Sequence, residues 1–141
     1  MRRKRRTEIL INGSKKLAAA MAKEILDTYE ATAIEDPNDG LVMVKVRESA
    51  KKSLFYLGEV FVTECKVLIN GSLGIGIVAG HEKELAYHLA VIDAAYKAGL
   101  KETEGWEKLL LEEDRMIKKE KSARMNQVLK TKVSFETMDT E

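Results

Sequence analysis

A chain of 141 residues with 45% hydrophobic and 33% charged side chains can build one core of ordinary size and does not read as a disordered polymer. Its formal net charge of +1 sets up no global field toward nucleic acid or an anionic membrane, and its single cysteine, Cys65, cannot form an intramolecular disulfide. The apolar runs fall short of the roughly 18 residues a spanning helix takes, and Ile9-Leu10-Ile11 after the basic start is too short for a signal peptide, so a single cytoplasmic domain over 1–141 is expected.

Arg2 to Ile11 reads as a short basic helix, ended by Asn12-Gly13, which makes 1–13 a separate basic segment. Ser14 stands at an N-cap position, and Leu17, Ala18, Met21, Ile25 and Tyr29 recur at helical spacing, predicting a helix from about Lys15 to Tyr29. Asp36-Pro37-Asn38-Asp39-Gly40 holds the only proline and carries a dense turn signal.

After it the period drops to two. Val42, Val44 and Val46 alternate with Met43, Lys45 and Arg47, as in a half-buried strand. Leu54 to Ile69 is rich in β-branched and aromatic residues, with Gly58 marking a bulge. Asn70-Gly71 between this run and Leu73–Val78 predicts a tight hairpin. An antiparallel sheet of three or more strands follows from these signals.

Helical period returns at Glu82, with Leu85, Leu89, Ile92 and Tyr96 on one face, Ala86, Ala90 and Ala94 on an adjoining one, and Gly99 as the stop. A charged helix from about Trp106 to Lys130 carries a narrower stripe of Trp106, Leu109, Leu110, Ile117, Met125 and Val128. Val133 to Thr137 alternates again, predicting a terminal strand or extended tail. The expected class is α+β: an antiparallel sheet with helices on one face, N-terminal helices, and a C-terminal helix plus extended tail.

Several constellations could carry chemistry. Gly74-x-Gly76-x-x-Ala79 loosely fits a dinucleotide-binding pattern, whose physics is backbone amides cradling a pyrophosphate at a helix N-terminus. The intervening Ile75, Ile77 and Val78 favour a strand instead, in which bare glycines let a helix lie close. His81, Glu84 and His88 could face one way and offer two imidazoles and a carboxylate to zinc, but no fourth ligand is apparent. Asp93 lies on the alanine face and, once buried, needs a donor or cation; a structural role is favoured over a catalytic one. Cys65 reads as a buried, inert thiol. The basic run Arg2 to Arg6 lacks the interleaved aromatics of a nucleic-acid platform, and a solvated end or docking helix explains it equally well. Val133, Phe135 and Met138 lie near the chain end and suit docking, back onto the sheet or onto a partner, so 106–141 is expected to engage partners.

The run Gly71-Ser-Leu-Gly-Ile-Gly-Ile-Val-Ala-Gly-His-Glu-Lys-Glu-Leu-Ala86, continuing to Ala90-Val-Ile-Asp-Ala-Ala95, resembles the G subunit of the carbon–phosphorus lyase system, PhnG. Phe55-Tyr-Leu-Gly-Glu59, Val62-Thr-Glu64, Asp114-Arg115-Met116 and Val133-x-Phe135-x-Thr137-Met138 are similar to further motifs of that family, in the same order. The resemblance implies an accessory, non-catalytic subunit of a core complex with H, I and J subunits, acting functionally with L. That machinery displaces adenine from ATP with an alkylphosphonate to give α-D-ribose 1-methylphosphonate 5-triphosphate. The nucleosidase step belongs to the I subunit, and radical cleavage to the J subunit with its iron–sulfur cluster; one cysteine here could not hold such a cluster. The resemblance carries over no catalytic, cofactor-binding or metal residue, and neither a cofactor, nor nucleic acid, nor a membrane is expected as a partner. The candidate partner-contact residues are Asp93, Asp114, Arg115, Val133, Phe135 and Met138. The alternatives are a free-standing nucleotide- or metal-dependent enzyme and a small nucleic-acid-binding protein using Arg2 to Arg6.

Overall fold

The computed structural model describes residues 1–47 and 54–139, and the side chains of 1–43 and 58–129. Two helices, α1 (Arg3–Asn12) and α2 (Lys15–Leu26), precede three strands, β1 (Thr32–Arg47), β2 (Leu54–Ile69) and β3 (Ser72–Ala79). Helix α3 (Lys83–Ala98), a 3₁₀ turn (Lys101–Gly105) and the long helix α4 (Trp106–Asp139) complete the chain. The α+β class and the antiparallel sheet follow the sequence reading.

Ser14 caps α2 by accepting the Lys16 N–H, and the helix stops at Leu26, a turn before the expected Tyr29. The sheet runs β1-β2-β3, so β2 is central. Asn70 (φ 48°) and Gly71 (φ 79°) close the β2–β3 hairpin with both central residues at positive φ, as an Asn-Gly turn of the I′ type requires. Gly58 sits at a register shift opposite Val44/Lys45 with φ 147°, the expected bulge.

The turn expected at Asp36–Gly40 is instead part of β1. The strand absorbs the turn-forming residues through two register shifts, between Ala33/Glu35 and between Glu35/Asn38. An edge strand tolerates Pro37, whose missing N–H can lie on the unpaired side, and the Asn38 amide donates to Glu35, to the Asp36 carbonyl and to the Glu64 carbonyl across the ladder.

One sheet face is covered. Cys65, Val67 and Ile69 of β2 and Val78 of β3 turn toward α3, which fixes the core with Ala86, Ala90 and Ala94. A Cβ built on Gly74 would lie 2.1 Å from the Ala90 carbonyl oxygen and 2.3 Å from the Ala94 nitrogen. One built on Gly76 would lie 2.1 Å from the Ala86 oxygen. These glycines exist so that α3 can rest on the backbone of β3. Gly99, at φ 66°, ends α3 with its N–H on the Ala95 and Tyr96 carbonyls.

The opposite face carries Leu73 and Ile77 in the open. Beyond Val62, where β3 ends at Ala79, β1 and β2 continue as a two-stranded ribbon. Its described residues Leu41, Val42, Met43, Val60 and Phe61 are all exposed, so the half-buried face expected for Val42 is not found. The reason is architectural: a third strand and a helix are needed to bury a ribbon face, and here both stop short. Val44 and Val46 lie outside the described side chains.

Helix α4 begins on a core residue: Trp106 is buried, meets Tyr96 edge to face at 5.6 Å, and donates its indole N–H to Glu24 at 3.0 Å. Leu110 is buried as well, but every side chain from Lys118 to Leu129 is exposed. The helix continues through 133–137, where alternation predicted a strand or extended tail; extending a helix already under way costs less than starting a new element. The side chains of Val133, Phe135 and Met138 lie outside the described residues.

Candidate functional site

The densest polar cluster in the described residues is built on Asp93, which is 5% exposed on α3. Its Oδ1 is ion-paired with Arg3 Nε at 3.0 Å and accepts from Arg6 Nη2 at 3.1 Å. Its Oδ2 accepts from Arg3 Nη2 at 3.1 Å and from the backbone N–H of Ile75 at 2.9 Å, with Lys97 Nζ at 3.5 Å. A carboxylate thus takes the free amide of edge strand β3 while two arginines of α1 close over it. Arg6 is also buried, with its guanidinium 3.8 Å above the Tyr96 ring. Burial pushes the Arg6 guanidinium below its ordinary value, and Asp93 and Tyr96 pull it back up.

The sequence placed Asp93 correctly on the sheet-facing side and asked for a cation. It did not connect that need to the basic run. Arg3 and Arg6 are three apart and therefore share a helix face, while Arg5 turns the other way to Asp114 at 3.3 Å. Ile9 and Leu10, buried on α1, gave the only sequence hint that this helix faces a core. Asp114 is held between Arg5 and Lys118 (3.2 Å), chiefly by the Lys118 hydrogen bond, and sits below the usual carboxylate range. Arg115 is exposed on α4.

Beside the Asp93 cluster lies a cavity of about 510 Å³ between α1, β3 and α3, floored by Leu10, Ile75, Leu89 and Ile92 and rimmed by Arg3 and Arg6. Arg3 and Arg6 are already engaged on Asp93, while Lys4, Thr7 and Glu8 also line the cavity beside its apolar floor.

A second network joins the sheet to the start of α3. The Thr63 hydroxyl, fully buried, donates to the Gly80 carbonyl at 2.7 Å and accepts the Glu82 N–H at 2.9 Å. Asp39 meets His81 Nδ1 at 2.9 Å. Carboxylate and imidazole stand in the order of a hydrolytic triad, but the hydroxyl nearby, Thr63, contacts Asp39 (3.3 Å) rather than the imidazole. A hydroxyl on that side of the pair cannot be activated by His81. His81 and His88 line an open cleft of about 430 Å³ with Lys15, Lys16 and Glu84, in which Lys15 pairs with Glu82. Burial lowers the His88 imidazole below its ordinary value. Among the described residues no group of three His, Cys, Asp or Glu side chains could hold a metal, so His81, Glu84 and His88 share this cleft without converging on a metal position.

The glycines weighed as a phosphate loop lie within β3, with the Cβ positions of Gly74 and Gly76 filled by α3. Cys65 is buried and its thiol is pushed up to about 11, first by burial. It is an inert core residue. No helix among the described residues is long and apolar enough to cross a membrane.

The family model for the phosphonate metabolism protein PhnG matches residues 1–139. The chain belongs to the PhnG family. No curated protein matches it. PhnG membership ties the chain to phosphonate metabolism, and among the described residues the densest polar cluster, at Asp93, clasps α1 to α3 and β3.

Proposed function

We propose that this PhnG protein is an accessory, non-catalytic subunit of the carbon–phosphorus lyase core complex, working with the H, I and J subunits and functionally with L in the cytoplasm. It supports the displacement of adenine from ATP by an alkylphosphonate, giving α-D-ribose 1-methylphosphonate 5-triphosphate. The observation that carries this reading is the family match over residues 1–139. The spent state of Asp93 and the misplaced Thr63 hydroxyl agree with a chain that lends surface rather than chemistry.

On this reading the contact falls on Arg115, Val133, Phe135 and Met138, while Asp93 and Asp114 act from behind by holding α1 against α3 and α4. Co-expression with the H, I and J subunits tests it. The chain should purify with them, and adenine release from ATP and methylphosphonate should need this chain, H, I and L together. A chain that stays apart from the cognate I subunit, or that releases adenine alone, defeats the reading.

A further inference from the structure

Residues 115–132 contain seven basic residues (Arg115, Lys118, Lys119, Lys121, Arg124, Lys130 and Lys132) and one acidic residue, Glu120. The whole chain is only +1, so the segment carries +6 and the remainder −5. The segment is continuous helix within α4, and its side chains from Lys118 to Leu129 are all exposed. At about 1.5 Å per residue, the 34 residues of α4 reach about 51 Å, and among its described side chains those covered by the core lie in the opening turns. Along the exposed stretch from Lys118 to Leu129, Met125, Val128 and Leu129 are bared at 61%, 62% and 52% exposure. Their i, i+3, i+4 spacing puts them on one face, and Lys121, four residues before Met125, shares it.

We propose that the distal part of α4, residues 115–132, is a docking helix that seats in an acidic groove with an apolar floor on a partner subunit. Charge selects the occupant: the +6 of the segment falls to +5 once Lys118 is paired with Asp114, that excess in five turns needs carboxylates opposite it, and the bared aliphatic residues need a dry floor between those carboxylates. Phosphate backbones answer the charge but leave Met125, Val128 and Leu129 in water. A membrane surface answers both only for a wider apolar face with aromatic anchors, and the described stripe is three aliphatic residues with none. This rests on the accessory-subunit reading, since it supplies the surface through which that subunit engages its complex.

The test uses the full chain co-expressed with the H, I and J subunits, in wild-type form and as two variants, K121E/R124E and M125S/V128S/L129S. All five positions are exposed, so thermal unfolding of the isolated variants should match wild type; K121Q/R124Q serves if the charge reversal disturbs folding. Each variant should weaken association by about tenfold or more, and raised salt should weaken the wild type. If wild type associates and both variants do so equally well, the docking helix is wrong while the accessory reading stands. If wild type itself fails to associate, the accessory reading falls and this inference with it. Wild-type binding to phosphatidylserine vesicles or duplex nucleic acid that both variants lose would overturn the proposal in favour of those surfaces. A dimer of the isolated chain that both variants break would overturn it in favour of a second copy.

Discussion

Asp93 shows how one carboxylate can decide the position of a helix. Removing its charge leaves Arg6 buried beside Tyr96 with no counter-ion, and an unpaired buried charge costs far more than the intact pair contributes. Asp93→Asn is expected to destabilise the fold by about 3 kcal/mol in urea unfolding, whereas Lys4→Ala should stay within about 0.5 kcal/mol. Sequence reasoning found the buried carboxylate because helical spacing reports which face it takes. It missed the arginines because nothing local says which distant carboxylate a basic run will meet. Three other groups set a pH dependence. The Lys118 and Lys66 hydrogen bonds hold Asp114 and Glu35 below the usual carboxylate range, and burial holds His88 below the usual imidazole. In all three the folded value is depressed, so stability is full above the unfolded value and is lost as pH falls through the folded one. The urea midpoint should therefore decline first below about pH 6.5, as the unfolded state protonates His88 ahead of the folded state, and again below about pH 4. His88→Gln should remove the first decline and keep the second. Cys65 should resist iodoacetamide in the folded chain at pH 8 and react only once urea unfolds it.

Among the elements, the glycines of β3 make the sharpest demand. A methyl group at Gly74 or Gly76 would meet α3 backbone atoms, which cannot swing aside as a side chain does. Gly74→Ala and Gly76→Ala should each cost about 3 kcal/mol as the helix is pushed off the sheet. Gly40→Ala, with open space around its Cβ and an ordinary φ, should stay within about 0.5 kcal/mol. This contact was legible because two glycines spaced by one residue share a strand face, and three alanines spaced by four share a helix face. The hairpin at Asn70-Gly71 and the Gly99 stop were legible for the same reason: each is a backbone demand that few residue types meet. The Asp36–Gly40 segment misled because the residues that favour turns also suit a bulged edge strand, and only the partner strand decides between them. Likewise, alternation over five residues at Val133–Thr137 gave way to a helix already under way.

At the level of the molecule, the core is assembled from distant parts: α1 and α4 meet through Arg5 and Asp114, and α2 and α4 through Glu24 and Trp106. The N-terminal segment is therefore a structural wall. A chain lacking residues 1–13 should lose Arg6, Ile9 and Leu10 from the interior and unfold in a broad, weakly cooperative transition by near-ultraviolet circular dichroism. Truncation after Lys118 at the other end keeps its pair with Asp114, removes only exposed side chains among the described residues, and should leave the unfolding midpoint unchanged. What the sequence could not say about the whole was which surfaces stay bare, since exposure of the β1–β2 ribbon depends on where β3 stops.

The clasp also sets an order of events in synthesis. Arg3 and Arg6 leave the ribosome well ahead of their carboxylate, which follows 90 and 87 residues later. At roughly 5–20 residues per second, the wait lasts about 4 to 18 seconds. A ten-residue helix is too short to hold itself together in water for that time. The segment must therefore remain an uncommitted coil until α3 emerges, and α1 takes its place in the fold only after the carboxylate it grips has been made.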